Sequence, residues 1–135
     1  EAGAIAVPAP DYFTPSSFGS LEIRQTAATE FIGQAIDYAA ARPTRMMAID
    51  DLGLTRLDFI KIDIEGMEME ALRGARRTIA TCKPMMMIER IKSDESELRE
   101  FLIGLGYGVY YMGINILAVH QDDPMSEQIK GMAGG

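Results

Sequence analysis

Hydrophobic and polar positions sort this chain into a loosely patterned first third and a sharply patterned remainder. Ala4 to Val7 is a short apolar run that suits a strand. Pro8 to Ser20, PAPDYFTPSSFGS, is rich in Pro, Ser and Gly and reads as a loop. Leu21 to Arg24 suits another short strand. Two patterns compete between Ala28 and Ala41. Phe31, Ile32, Ala35, Ile36 and Ala39 fit one helical face, whereas Ile32, Gln34 and Ile36 alternate as in a strand, and Gly33 interrupts either one. Pro43 closes the segment. Met46 to Ile49 then makes a short apolar strand, and Asp50, Asp51 and Leu52 open a turn or short helix.

The pattern sharpens at Leu57. Leu57 to Ile64 is a strand of the continuous apolar kind found in parallel sheets. Gly66 follows, and a helix is predicted from about Met67 to Thr81, with Met69, Leu72, Ala75 and Ile79 at helical spacing. Glu68 and Glu70 in its first turns, and Arg73, Arg76 and Arg77 later, complement the helix dipole. Gly74 inside it costs roughly 1 kcal/mol against alanine, which hints at close packing. Lys83 and Pro84 end this helix, and Met85 to Glu89 makes the next strand. Ser93 or Asp94 caps a second helix, with Glu97 placed as in a capping box. Leu98, Phe101, Leu102 and Leu105 form its apolar stripe, and Gly104 and Gly106 stop it. Tyr107 to Met112 and Ile116 to His120 are two strands around a tight turn at Gly113, Ile114 and Asn115. No pattern persists after Gln121, so residues 121–135 read as a flexible tail.

Strand, helix, strand, helix, strand, strand predicts an α/β fold. The expected form is a mostly parallel sheet with right-handed crossovers, helices on its faces and an antiparallel hairpin at one edge. A length of 135 residues suits a single domain, and 47% hydrophobic with 24% charged residues is ordinary globular composition. The net charge of −7 and the scattered basic residues argue against a nucleic-acid partner. The single cysteine, Cys82, excludes a disulfide within the chain and any multi-cysteine metal site. The single histidine, His120, belongs to the last strand. Met85, Met86 and Met87 read as a methionine-rich core strand. No window approaches the roughly 20 apolar residues of a membrane span. No signal peptide is visible, so the expectation is a cytoplasmic protein without a membrane partner.

Lys61, Asp63 and Glu65 alternate with Ile60, Ile62 and Ile64, so the three charges share one face of the predicted strand. Charges are not buried without a reason. In open α/β sheets, ligands bind beyond the carboxyl ends of the strands. Asp63 and Glu65 end one strand and Glu89 ends the next, so neighbouring strands would gather three carboxylates on one rim. Lys61 lies one step deeper and can pair with them. Such a rim suits a general base, the orientation of a hydroxyl, or a bound cation. It equally suits an ion-pair cluster in which Glu65 and Gly66 serve the helix start. No glycine-rich phosphate loop and no zinc-ligand spacing is visible.

The stretch LDFIKIDIEGMEMEALRGA followed by KPMMMIE resembles the FkbM-type methyltransferase family. The likeness rests on Lys61, Asp63, Glu65 and Gly66, then Leu72, Gly74 and Ala75, then Lys83, Pro84 and Glu89. IDDLGL and the more distant SFGSLEI extend it, from about Phe18 to His120. The resemblance implies a class I, three-layer Rossmann-like domain. It implies S-adenosylmethionine as methyl donor, and O-methylation of a sugar or other small-molecule hydroxyl. It also implies Asp63 nearest the chemistry, Glu65 second, and Lys61, Gly66 and Glu89 in supporting or substrate-binding roles. The family's glycine-rich donor turn and ribose-holding strand end lie earlier in its pattern, and neither is present here. The expectation is therefore the second half of such a domain, with donor-binding residues upstream of Glu1 and an exposed sheet edge. Two alternatives stay open. One is a non-catalytic Rossmann-like binding or assembly module. The other is a divalent-metal hydrolase or transferase with Asp63, Glu65 and Glu89 as oxygen ligands.

Overall fold

A computed structural model describes the backbone of residues 3–133 and the side chains as far as residue 129. The chain divides between Ala48 and Ile49 into two compact units.

In the first unit, strands β1 (Gly3–Val7) and β2 (Arg42–Met46) pair antiparallel, with Ala6 opposite Pro43. Pro43 therefore lies within a strand, which a two-stranded sheet tolerates because every strand is an edge. The strand expected at Met46 to Ile49 is displaced towards the N-terminus and ends at Met46. No strand forms at Leu21 to Arg24, and residues 28–41 form neither helix nor strand. Local side-chain hydrogen bonds hold this segment instead. Asp37 Oδ1 accepts from the Ala39 and Ala40 amides at 2.9 and 3.2 Å. The buried Glu22 carboxylate accepts from the Thr29 hydroxyl at 2.9 Å. Gly33, at φ 110°, turns the chain where a helix would have to continue.

The second unit holds a four-stranded sheet in the order β3-β4-β6-β5. Its strands are β3 (Phe59–Ile62), β4 (Met85–Glu89), β5 (Tyr107–Met112) and β6 (Asn115–His120). β3 and β4 are parallel, while β4–β6 and β5–β6 are antiparallel. The sheet is mixed, where a mostly parallel one was expected. The hairpin turn explains this. Gly113, at φ 62°, and Ile114 reverse the chain so tightly that Asn115 already pairs with Met112. β6 then returns beside β4 and lies inside the sheet, leaving β5 and β3 as its edges.

The long helix expected between β3 and β4 is two short ones, α1 (Glu68–Gly74) and α2 (Arg76–Cys82). Ala75 leaves the helical region, with φ −111° and ψ 4°. α2 gains its own cap from the 3-10 turn Ile49–Leu52. Asp50 accepts from the Arg77 and Thr78 amides at 3.0 and 2.7 Å and from the Thr78 hydroxyl at 2.8 Å. Gly74 thus ends a helix rather than interrupting one. Lys83 closes α2 in the left-handed region at φ 51°, ahead of Pro84. α3 (Glu95–Gly104) starts as expected, with Asp94 accepting from the Glu97 amide at 3.1 Å. The Glu97 side chain pairs with Arg73 of α1.

Ile62, Met86, Ile88, Ile116, Ala118 and Tyr107 project from one sheet face into a core shared with Met69, Leu72, Ile79, Leu98 and Leu102. α1, α2 and α3 therefore form a single layer on that face. The stretch after Gln121, read as a patternless tail, forms helix α4 (Met125–Ala133), which packs against β6. Gly134 and Gly135, also part of that stretch, lie outside the described residues.

Candidate active site at the ends of two parallel strands

β3 ends at Ile62, two residues sooner than expected, so Asp63 to Gly66 form a loop rather than strand. The alternation that separates charged from apolar residues stops there. Ile62 is buried, but Ile64 is exposed. Glu65 and Gly66 carry the turn, with φ 54° and 92°. A Cβ on Gly66 would lie 3.4 Å from the Lys92 carbonyl oxygen. A non-glycine residue such as Glu65 in the left-handed region is a costly conformation, and such residues collect at functional sites.

Because Ile62 pairs with Ile88, the parallel register brings the two strand ends together. Carboxylate oxygens of Asp63, Glu65 and Glu89 all lie within 4.8 Å of one another. The rim expected from the sequence is thus formed. Lys61 pairs with Asp63, as its position predicted. Lys92 Nζ lies 2.7 Å from Glu65 Oε2, a pair with only 21% and 16% of its side chains exposed.

A carboxylate oxygen of Asp63 and one of Glu89 lie within 4.8 Å of each other, close enough for their titrations to be linked. Their carboxyls are driven in opposite directions. Asp63 is held below the usual carboxylate range, first by its bond to the Lys61 ammonium and then by Glu89. Burial pushes Glu89 up to about 7, assisted by Asp63 and by the charges of Glu65 and Glu68. With Asp63 held ionised and Glu89 raised to about 7, the pair's exchangeable proton belongs to Glu89 and is about half lost at neutral pH. This arrangement is suited to exchanging a proton with a bound group near pH 7.

Glu65 is engaged by Lys92, and the carboxylate that holds the turn before α1 is that of Glu68. Its buried Oε1 accepts from the Ile64 and Gly66 amides at 3.1 and 3.2 Å, and its Oε2 accepts from the Ser93 hydroxyl. Glu68, Lys92 and Ser93 were not among the residues singled out as site candidates from the sequence. Glu68 follows Gly66 by two positions, within reach of the loop amides, and that spacing was the available signal. Lys92 and Ser93 follow Glu89 by three and four positions, on the same rim.

Two other residues, Cys82 and His120, are not part of this cluster. Cys82 ends α2, and its thiol is 3.8 Å from the Leu54 carbonyl oxygen. His120 is buried edge-on against Tyr107, with ring centroids 5.1 Å apart.

The fold is α/β with a mixed sheet, and the site is an acidic rim at its strand ends. The family model of the methyltransferase FkbM domain matches residues 3–109, and the chain belongs to that family. No curated protein and no solved structure gives a significant match. Among the described residues, no helix is long and apolar enough to cross a membrane.

Proposed function

We propose that the rim is the acceptor side of an O-methyltransferase site, in which the Asp63–Glu89 pair takes the proton from an acceptor hydroxyl. The convergence of these two carboxyls at the strand ends, with their acidities driven apart, carries the reading. A neutral hydroxyl is a poor nucleophile, and removing its proton as it attacks speeds the transfer. Glu89 holds its proton up to about pH 7, so its carboxylate is a matched base at and above that pH. Asp63, tied to Lys61, is the weaker base, and it receives the hydrogen bond once Glu89 is protonated. Glu65, anchored by Lys92, lies within reach of a second hydroxyl of the same acceptor. A sugar or another small polyol is the substrate class this favours. Lys61 and Lys92 already neutralise Asp63 and Glu65, which favours proton transfer over cation binding at this rim.

The donor implied by the family is S-adenosylmethionine. Among the described residues no glycine-rich turn joins a strand to a helix as a nucleoside cradle, so these residues alone do not fit it.

The test is methyl transfer by the intact protein, with labelled donor and a panel of sugars and small alcohols. Glu89→Gln and Asp63→Asn should each lower kcat by about 100-fold or more. Full turnover in both variants would sink the proposal.

A further inference from the structure

Glu68 is only 1% exposed, and an ionised carboxylate is costly to bury without compensation. Three donors compensate it, and they come from two different loops. Ile64 and Gly66 flank Glu65 in the loop after β3, whereas Ser93 lies in the loop after β4. A single carboxylate therefore ties the loop carrying Asp63 and Glu65 to the loop that follows Glu89. The Lys92–Glu65 pair crosses the same gap at 2.7 Å.

We infer that Glu68 is a positioning residue of this site, whose buried carboxylate sets the separation of Asp63 and Glu65 from Glu89. It has no place at the reacting atoms. Its effect reaches the chemistry through the loop amides it holds and through its charge, which is among those acting on Glu89. Displacement of reacting groups by about an ångström can cost a hundredfold in rate, so a group that fixes their spacing has kinetic weight. Only the kinetic part of this inference rests on the acceptor reading above.

The test compares Glu68→Gln and Glu68→Ala in the intact protein. Amide hydrogen exchange at Ile64 and Gly66 and carboxyl NMR titration of Glu89 are read alongside kcat and KM. Glutamine keeps an oxygen for the two amides but removes the charge. It should keep their exchange within about threefold of wild type while Glu89 titrates at lower pH. Alanine removes the tie. Exchange at both amides should rise at least about tenfold, and kcat should fall by a similar factor with a smaller change in KM. Unchanged exchange at both amides in Glu68→Ala overturns the inference. If Glu68→Ala fails to fold, Glu68→Asp, whose shorter side chain draws back from the loop amides, decides it: exchange at both amides should rise, and unchanged exchange overturns the inference. If exchange and titration shift as expected but wild-type protein methylates no hydroxyl offered, the acceptor reading fails and the positioning role stands.

Discussion

Asp63 and Glu89 bring carboxylate oxygens within 4.8 Å of each other at the ends of two parallel strands, and below about pH 7 the first stays ionised while the second keeps its proton. Neighbouring carboxylates that cannot both ionise freely separate into acid and base roles.

This pair gives stability a definite pH dependence. Glu89 has an ordinary value of 4.5 and is raised to about 7 in the folded protein. The folded state therefore binds this proton more tightly than the unfolded state. Its stabilising contribution is complete below about pH 4.5 and is lost as pH rises through about 7. Asp63 has the opposite sign: its contribution is present above its ordinary value of 3.8 and is lost as pH falls through its lowered folded value. Urea unfolding from pH 4.5 to 7 should show a falling slope that flattens in Glu89→Gln. An unaltered slope in that variant would count against the raised Glu89 carboxyl.

Glu65 occupies the left-handed region at φ 54°. Glycine and alanine at this position both lose the Lys92 pair, but only alanine keeps the steric penalty. Glu65→Gly should therefore be more stable than Glu65→Ala by about 1 kcal/mol. Chemical denaturation of the two variants side by side measures this difference directly.

Asp50 caps a helix from outside it, through the Arg77 and Thr78 amides. Asp50→Ala should destabilise the second unit by about 0.5–2 kcal/mol, the range for loss of an N-cap. Asp50→Asn, which keeps an accepting oxygen, should recover most of that loss. Equal loss in both variants would point to the charge rather than the cap.

Tyr107 is buried, and its hydroxyl has no hydrogen-bond partner among the described residues. Burial pushes its pKa upward. An unsatisfied buried hydroxyl costs about 1–3 kcal/mol, so Tyr107→Phe should match or exceed wild-type stability. A clear fall in melting temperature would mean that the hydroxyl has a partner in solution.

Local signals made much of the second unit legible. The Asp94 cap, the Leu98 and Leu102 stripe and the start and end of β4 follow from residues only a few positions apart. The break at Ala75 does not, because the cap that allows α2 to restart comes from Asp50, 28 positions before Thr78. β3 was overextended because Asp63 and Glu65 continue the alternation after the backbone has turned. The first unit was largely illegible. Its order depends on contacts such as Thr29 with the buried Glu22, and no periodicity announces those. Asp63, Glu65 and Glu89 were recognisable as a rim from strand-end logic alone. Their division into ionised and protonated partners required the register of β3 on β4.

The most direct test of this pair is a carboxyl NMR titration of Glu89 in wild-type protein and in Asp63→Asn. Glu89 should titrate near pH 7 in wild type and at clearly lower pH once the Asp63 charge is removed. Titration near its ordinary value of 4.5 in both proteins would contradict the pair, and with it the base proposed for this site.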